Sequence, residues 1–218
     1  MLNKIKLIGK YFPPQELKHK NESNIPFIYF NLLVINPNNV TTILRCKAES
    51  SIAEQIYNEV KENEIIEIEG YLESVERENI TRILKFLVIP EEKYTNEVFL
   101  MGEIITEPEV QGRENEKKIV SFKINCPSEN GRHQRNFYFR SQGEMAEEVI
   151  NKLQKGYLVS LEGFLQTKKI KDKNNEGRSA RISLIVLTSF NPLKEDEKNK
   201  VSKPVEKINF AENEEEDN

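Results

Sequence analysis

Short runs in which apolar and polar residues alternate recur along this chain in a fixed order. Lys4–Gly9 alternates and then breaks at glycine, the period-two pattern of a strand buried on one face. Tyr11–Asn24, with Pro13–Pro14 and many polar residues, reads as a loop. Phe27–Ile35 is rich in aromatic and branched residues and predicts a strand. Asn36–Asn39 carries turn chemistry, since proline fixes φ and asparagine tolerates left-handed geometry, and Val40–Cys46 predicts the returning strand. Ile52, Ile56 and Val60 then repeat every four residues, one face of a short helix over Ser51–Val60. Strands are predicted again over Ile65–Gly70, Tyr71–Glu76 and Thr81–Ile89, where Pro90 stops the pattern.

The same series follows a second time. Glu97–Ile104 opens it, Ile119–Cys126 alternates, Pro127–Gln134 turns and Asn136–Arg140 returns. Met145–Leu153 predicts a helix, and Tyr157–Glu162, Phe164–Ile170 and Arg178–Phe190 predict strands. At an offset of 93 residues, Cys46–Glu73 lies on the second copy without a gap, setting Ala53 on Ala146, Glu69 on Glu162 and Gly70 on Gly163. Such an internal repeat decides the fold. Each copy reads β-β-β-α-β-β, and five strands with a helix between the third and fourth is the order of an OB barrel. Matched glycines at Gly9, Gly70, Gly102 and Gly163 allow the sharp bends that close a small barrel. A generic antiparallel α+β domain is the alternative, but it does not call for those glycines. The expected class is all-β with short helices: two tandem five-stranded OB-fold barrels at residues 1–93 and 94–193, then a disordered acidic tail at 194–218.

Charge separates these parts. The whole chain is net −4, but residues 1–93 are net −2, 94–193 are net +2 and 194–218 are net −4. In the last segment the apolar pattern stops, and such a composition buries too little surface to offset chain entropy. No run approaches the ~20 apolar residues of a membrane span, and the N-terminus reads as a strand rather than a secretory signal. Cys46 and Cys126 stand at non-equivalent places without ligand-spaced partners, which suits two unpaired thiols in a reducing compartment. His19 and His133 lie in predicted loops with no nucleophile or acid beside them, and no metal or phosphate-loop spacing occurs. No cofactor and no enzymatic activity are expected.

The second copy resembles the bacterial-type single-stranded DNA-binding proteins. The resemblance lies in Val98–Val110, in Tyr138–Arg140 and in Lys155–Lys168, with its Lys-Gly-x-x-Val-x-Leu-Glu-Gly-x-Leu-x-Thr run. The first copy matches in its opening strand and its helix-to-Glu-Gly block. The resemblance implies OB domains that coat single-stranded DNA during replication, recombination or repair. Some members carry two such domains per chain and pair as homodimers. It also implies stacking aromatics, one of them at Phe139, and an acidic tail that docks replication and repair proteins. Here there is no Trp, Ile170 stands at another usual aromatic place, and Phe210 precedes the acidic run, which ends at Asn218.

Strand binding needs π-faces for bases and cations for phosphates. Alternation sets Arg135, Phe137 and Phe139 on one face, expected to line the groove, and Asn136, Tyr138 and Arg140 on the other. Core positions are the competing reading for both phenylalanines. Arg132 joins Arg135 at one loop. Lys168, Lys169, Lys171, Lys173, Arg178 and Arg181 crowd the hairpin between the last two strands, and Arg140 adds another cation. In the first copy Cys46 falls on Phe139, Lys47 on Arg140, and the shorter hairpin carries Glu73, Glu76 and Glu78. That copy is expected to be mainly structural, with Tyr29, Phe30, Arg45 and Lys47 as lesser candidates for nucleic-acid contact. The expected partner is single-stranded DNA, with no membrane association, in a bacterial cytoplasm or an organelle. The other function considered is an OB-fold assembly component that binds protein or RNA in a larger particle.

Overall fold

The computed structural model describes residues 3–14, 16–21, 23–75, 78–114, 117–127, 134–171 and 179–193. The first half contains β1 (Asn3–Phe12), β2 (Lys18–His19), β3 (Pro26–Ile35), β4 (Thr41–Glu49), α1 (Ser50–Glu59), β5 (Ile65–Val75) and β6 (Glu78–Ile89). The second contains β7 (Thr95–Ile104), β8 (Glu109–Glu114), β9 (Lys117–Pro127), β10 (Gln134–Gln142), α2 (Glu144–Lys152), β11 (Leu158–Lys171) and β12 (Ser179–Pro192). The long strands alternate between core and surface as the sequence does; β3 buries Ile28, Phe30, Leu32 and Val34 and turns the residues between them outward.

One twelve-stranded sheet runs β2-β3-β4-β6-β5-β1-β7-β11-β12-β10-β9-β8. It curls at both ends, because β1 also pairs with β3 and β7 also pairs with β9. Each closure makes a five-stranded OB barrel. The short helix of each half lies against its barrel, burying Ala53 and Ile56 in α1 and Ala146 and Val149 in α2. The predicted pair Ile65–Gly70 and Tyr71–Glu76 is one strand, β5, with a bulge between Glu69 and Gly70, and β11 has its bulge between Glu162 and Gly163. At the bulge a Cβ on Gly70 would overlap the Arg82 carbonyl oxygen, and one on Gly163 that of Val186. Glycine is therefore required there by backbone approach. Two strands were not expected: β2, within the predicted loop, and β8, which forms an outer edge.

The halves join through β1 and β7. Ile5 pairs with Val98, its own counterpart at the offset of 93, so the seam has an approximate two-fold axis. Asn3 and its counterpart Asn96 behave alike. Each amide donates to and accepts from one backbone position, Leu72 for Asn3 and Leu165 for Asn96, at 2.8 and 2.9 Å. Beyond the hairpin the offset becomes 104 residues, so the extra length of the second copy falls between β11 and β12. Asn79 Nδ2 donates to the carbonyl of its counterpart Ser183 at 3.1 Å, buried across the seam. Cys46 and Cys126 are buried and unpaired, and burial pushes both thiols up to about 12. Among the described residues no helix is long and apolar enough to cross a membrane. The tail expected to be disordered lies outside the described residues.

Candidate nucleic-acid interface

Pairing of β9 with β10 sorts their side chains into two layers. Phe137 faces Ile124 and Phe139 faces Phe122 across the ladder, and all four are core residues. Phe137 and Phe139 are 0% and 1% exposed, and Phe139 stacks on Phe122 with centroids 5.6 Å apart. Neither ring has a face to offer a base. The expectation that these two line the groove is therefore corrected: the barrel interior takes the layer of large apolar residues. Position 139 is interior in both halves. Its counterpart Cys46 is fully buried, and the parallel pairings Cys46 with Thr81 and Phe139 with Ile185 occupy matching places.

The opposite layer faces outward. Tyr138 is 48% exposed, its cross-strand partner Lys123 places Nζ 4.6 Å from the ring centroid, and Arg140 follows two residues on. An exposed cation–π contact is worth roughly 0.5–1 kcal/mol. A stacked base gains roughly 1–3 kcal/mol, so a base can compete for this ring. Arg140 is only 8% exposed and is ion-paired with Glu114, and Lys168 Nζ lies 3.6 Å from the same carboxylate. The Arg140 guanidinium and Lys168 hold that carboxyl below the usual range.

Arg135 is also corrected. It reaches across to the first half, where Nη1 donates to the Leu72 carbonyl at 3.3 Å and Nη2 lies 3.8 Å from Glu73. Its guanidinium also sits 5.2 Å from the Tyr71 ring centroid. It clasps the seam. Of the remaining candidates, Lys169 and Lys171 are placed in β11 and Arg181 in β12, with side chains outside the described residues. Arg132, Lys173 and Arg178 lie wholly outside them.

The first half carries a comparable outward layer on β3 and β4. Phe27 and Tyr29 meet edge to face at 6.0 Å, the Arg45 guanidinium lies 4.5 Å from the Tyr29 centroid, and Lys47 Nζ lies 5.2 Å from both rings. Glu49 accepts ion pairs from Lys47, Arg82 and Lys20 at 2.8, 2.9 and 3.1 Å. Burial acts to raise its carboxyl pKa, but these cations prevail and lower it to about 2. Phe30 is core, edge to face with Tyr11 at 5.0 Å. Tyr138, Lys123 and Phe27 were not among the expected contact residues, although one signal pointed to their layer. Phe139 and Arg140 are adjacent on a strand, so they face opposite ways, and the charged residue marks the outward layer.

Paired OB barrels with aromatic and cationic side chains on their outward strands have the ingredients that single-stranded nucleic-acid binders use. The comparisons agree. Residues 95–190 match the single-strand binding protein family. The chain is similar to the wild-type single-stranded DNA binding protein from Thermus aquaticus, with a TM-score of 0.71 and 17% identity, over 88% of this chain and 93% of that one. A deletion mutant of that protein, carrying a further substitution, gives 0.71 and 17% over 89% and 96%. At that identity the likeness shows the shared fold. No curated protein sequence matches the chain.

Proposed function

We propose that this protein binds single-stranded DNA without catalysing a reaction, and that it serves DNA replication, recombination or repair. The observation that carries this reading is the exposed Tyr138 ring beside Lys123, Arg140 and Lys168, within the half that matches the family. Bases stack on Tyr138 while the cations meet phosphates. Lys169, Lys171, Arg178, Arg181 and Arg132 add further cations to the sequence of this half. In the first half Phe27 and Tyr29, with Arg45 and Lys47, supply the same two ingredients, so that half binds too rather than serving only as scaffold. The test is a titration of labelled oligo-dT followed by anisotropy. Salt-sensitive binding near micromolar concentration is expected. Failure to bind, with capture of RNA or protein instead, would favour the assembly-component reading.

The residue blocks 1–93 and 94–193 act as two binding domains, and two chains pair as a homodimer through the outward face of the central strands. There Lys4 stands in the first half where Glu97 stands in the second. A second copy placed with its halves reversed sets these unlike charges opposite each other. Sedimentation at a dimer mass checks this, and a monomer at micromolar concentration would refute it. The acidic segment 194–218 recruits replication or repair proteins. Its deletion is expected to abolish such capture and leave oligo-dT binding intact.

A further inference from the structure

Three donors converge on one carboxylate oxygen at the outward face of the second barrel. Glu114 Oε2 accepts from Arg140 Nη2 and, at 3.2 Å, from Gln142 Nε2, and Lys168 Nζ lies 3.6 Å from the same atom. A phosphate oxygen takes donors of these kinds. Arg140 is more than nine-tenths buried, and its Nε is buried with no hydrogen-bond partner. The guanidinium therefore keeps donor capacity that Glu114 does not use. A phosphate, with more acceptor oxygens than a carboxylate, can use it.

Glu114 is carried by an element that can give way. Among the described residues β8 is the edge strand of this half, bonded to β9 alone, and a bulge between Val110 and Gly112 interrupts that ladder. Neither closure of the barrel, β7 to β9 nor β10 to β12, passes through β8. Half of the Glu114 side chain is solvent-exposed, so its contacts with Arg140, Gln142 and Lys168 are of modest strength.

We propose that Arg140, Gln142 and Lys168 form a phosphate subsite and that Glu114 is its built-in competitor, displaced when a backbone phosphate of the bound strand enters. The proposal rests on the single-strand-binding reading and concerns the regulation of that site. The carboxylate lowers affinity for short or loosely held strands and keeps the cations from holding stray anions.

The experiment is a labelled oligo-dT titration of the full chain at several KCl concentrations, with the wild type, Glu114→Gln and Glu148→Gln. Glu148 sits on α2 and pairs with Lys152, so its variant makes the same charge change away from the subsite. Glu114→Gln is expected to bind about two- to fivefold more tightly at low salt, the scale of one half-exposed ion pair. The gain should fade as salt screens that pair in the wild type. Glu148→Gln should bind as the wild type does. A wild type that does not bind oligo-dT at any salt defeats the single-strand reading itself. A wild type that binds, with Glu114→Gln no tighter than Glu148→Gln, overturns the competitor alone. Matching thermal melts of the three proteins show that the comparison is between folded chains.

Discussion

Tyr138 and Phe139 are neighbours on one strand, and truncating each to alanine separates surface from core. Tyr138→Ala removes a ring that is 48% exposed and touches Lys123, with little loss to the barrel interior. If a base stacks there, the loss is roughly 1–3 kcal/mol of binding, or roughly 5- to 150-fold in Kd. An oligonucleotide short enough to engage one barrel reports it most fully. Phe139→Ala removes a ring that is 1% exposed and stacked on Phe122. It leaves a cavity at the centre of the second barrel, costing about 3–5 kcal/mol of stability. For a chain of this size that lowers Tm by roughly 6–20 °C. Below that Tm the Kd of Phe139→Ala should stay within about twofold of wild type, since its outward neighbours keep their places; twofold is about 0.4 kcal/mol. Calorimetry and anisotropy at one temperature check both variants. A folded Phe139→Ala that loses binding while Tyr138→Ala keeps it would show that the two faces had been assigned the wrong way round.

Other outcomes follow from the remaining contacts. Arg135→Ala removes the clasp onto Leu72, Glu73 and Tyr71 and should lower stability by about 1 kcal/mol, with oligo-dT affinity unchanged; a large affinity loss would return Arg135 to the binding face. Gly70→Ala forces a Cβ into the Arg82 carbonyl and should destabilise by about 1–3 kcal/mol, read as a lowered denaturant midpoint. Glu49 has a folded pKa of about 2, below its ordinary value near 4.5. The stability it contributes is thus present above pH 4.5 and lost as pH falls towards 2. Urea titrations across that window should show Glu49→Gln less pH-dependent than wild type, and parallel profiles would refute the pairing with Lys20, Lys47 and Arg82.

The repeat, the strand order and both helices were legible in the chain because each rests on local information. Ile52, Ile56 and Val60 fall on one face of a helix with more polar residues between them, and Lys4–Gly9 alternates with the period of a strand. The matched Gly70 and Gly163 marked the bulges before any backbone was seen, although they lie within single long strands rather than between two. β8 was not legible, because an edge strand buries little and so carries no strong apolar pattern. Among the candidate cations, Arg140 lies on the same layer as Tyr138 but is buried beneath Glu114, and the Lys168 side chain is partly exposed beside that carboxylate.

Alternation along β10 divides Phe137 and Phe139 from Tyr138 and Arg140, and that division belongs to the sequence alone. Which set turns inward does not, since an aromatic ring suits a core and a stacking platform equally well. The closed barrel decided it, by requiring Phe122 and Phe139 to fill the space between strands. Arg135 likewise looked like a phosphate ligand until β1 paired with β7 and brought Tyr71 and Glu73 beneath it. Local pattern determines what each segment becomes. Contacts between strands distant along the chain determine which of its faces meets the solvent, and so where a partner can bind.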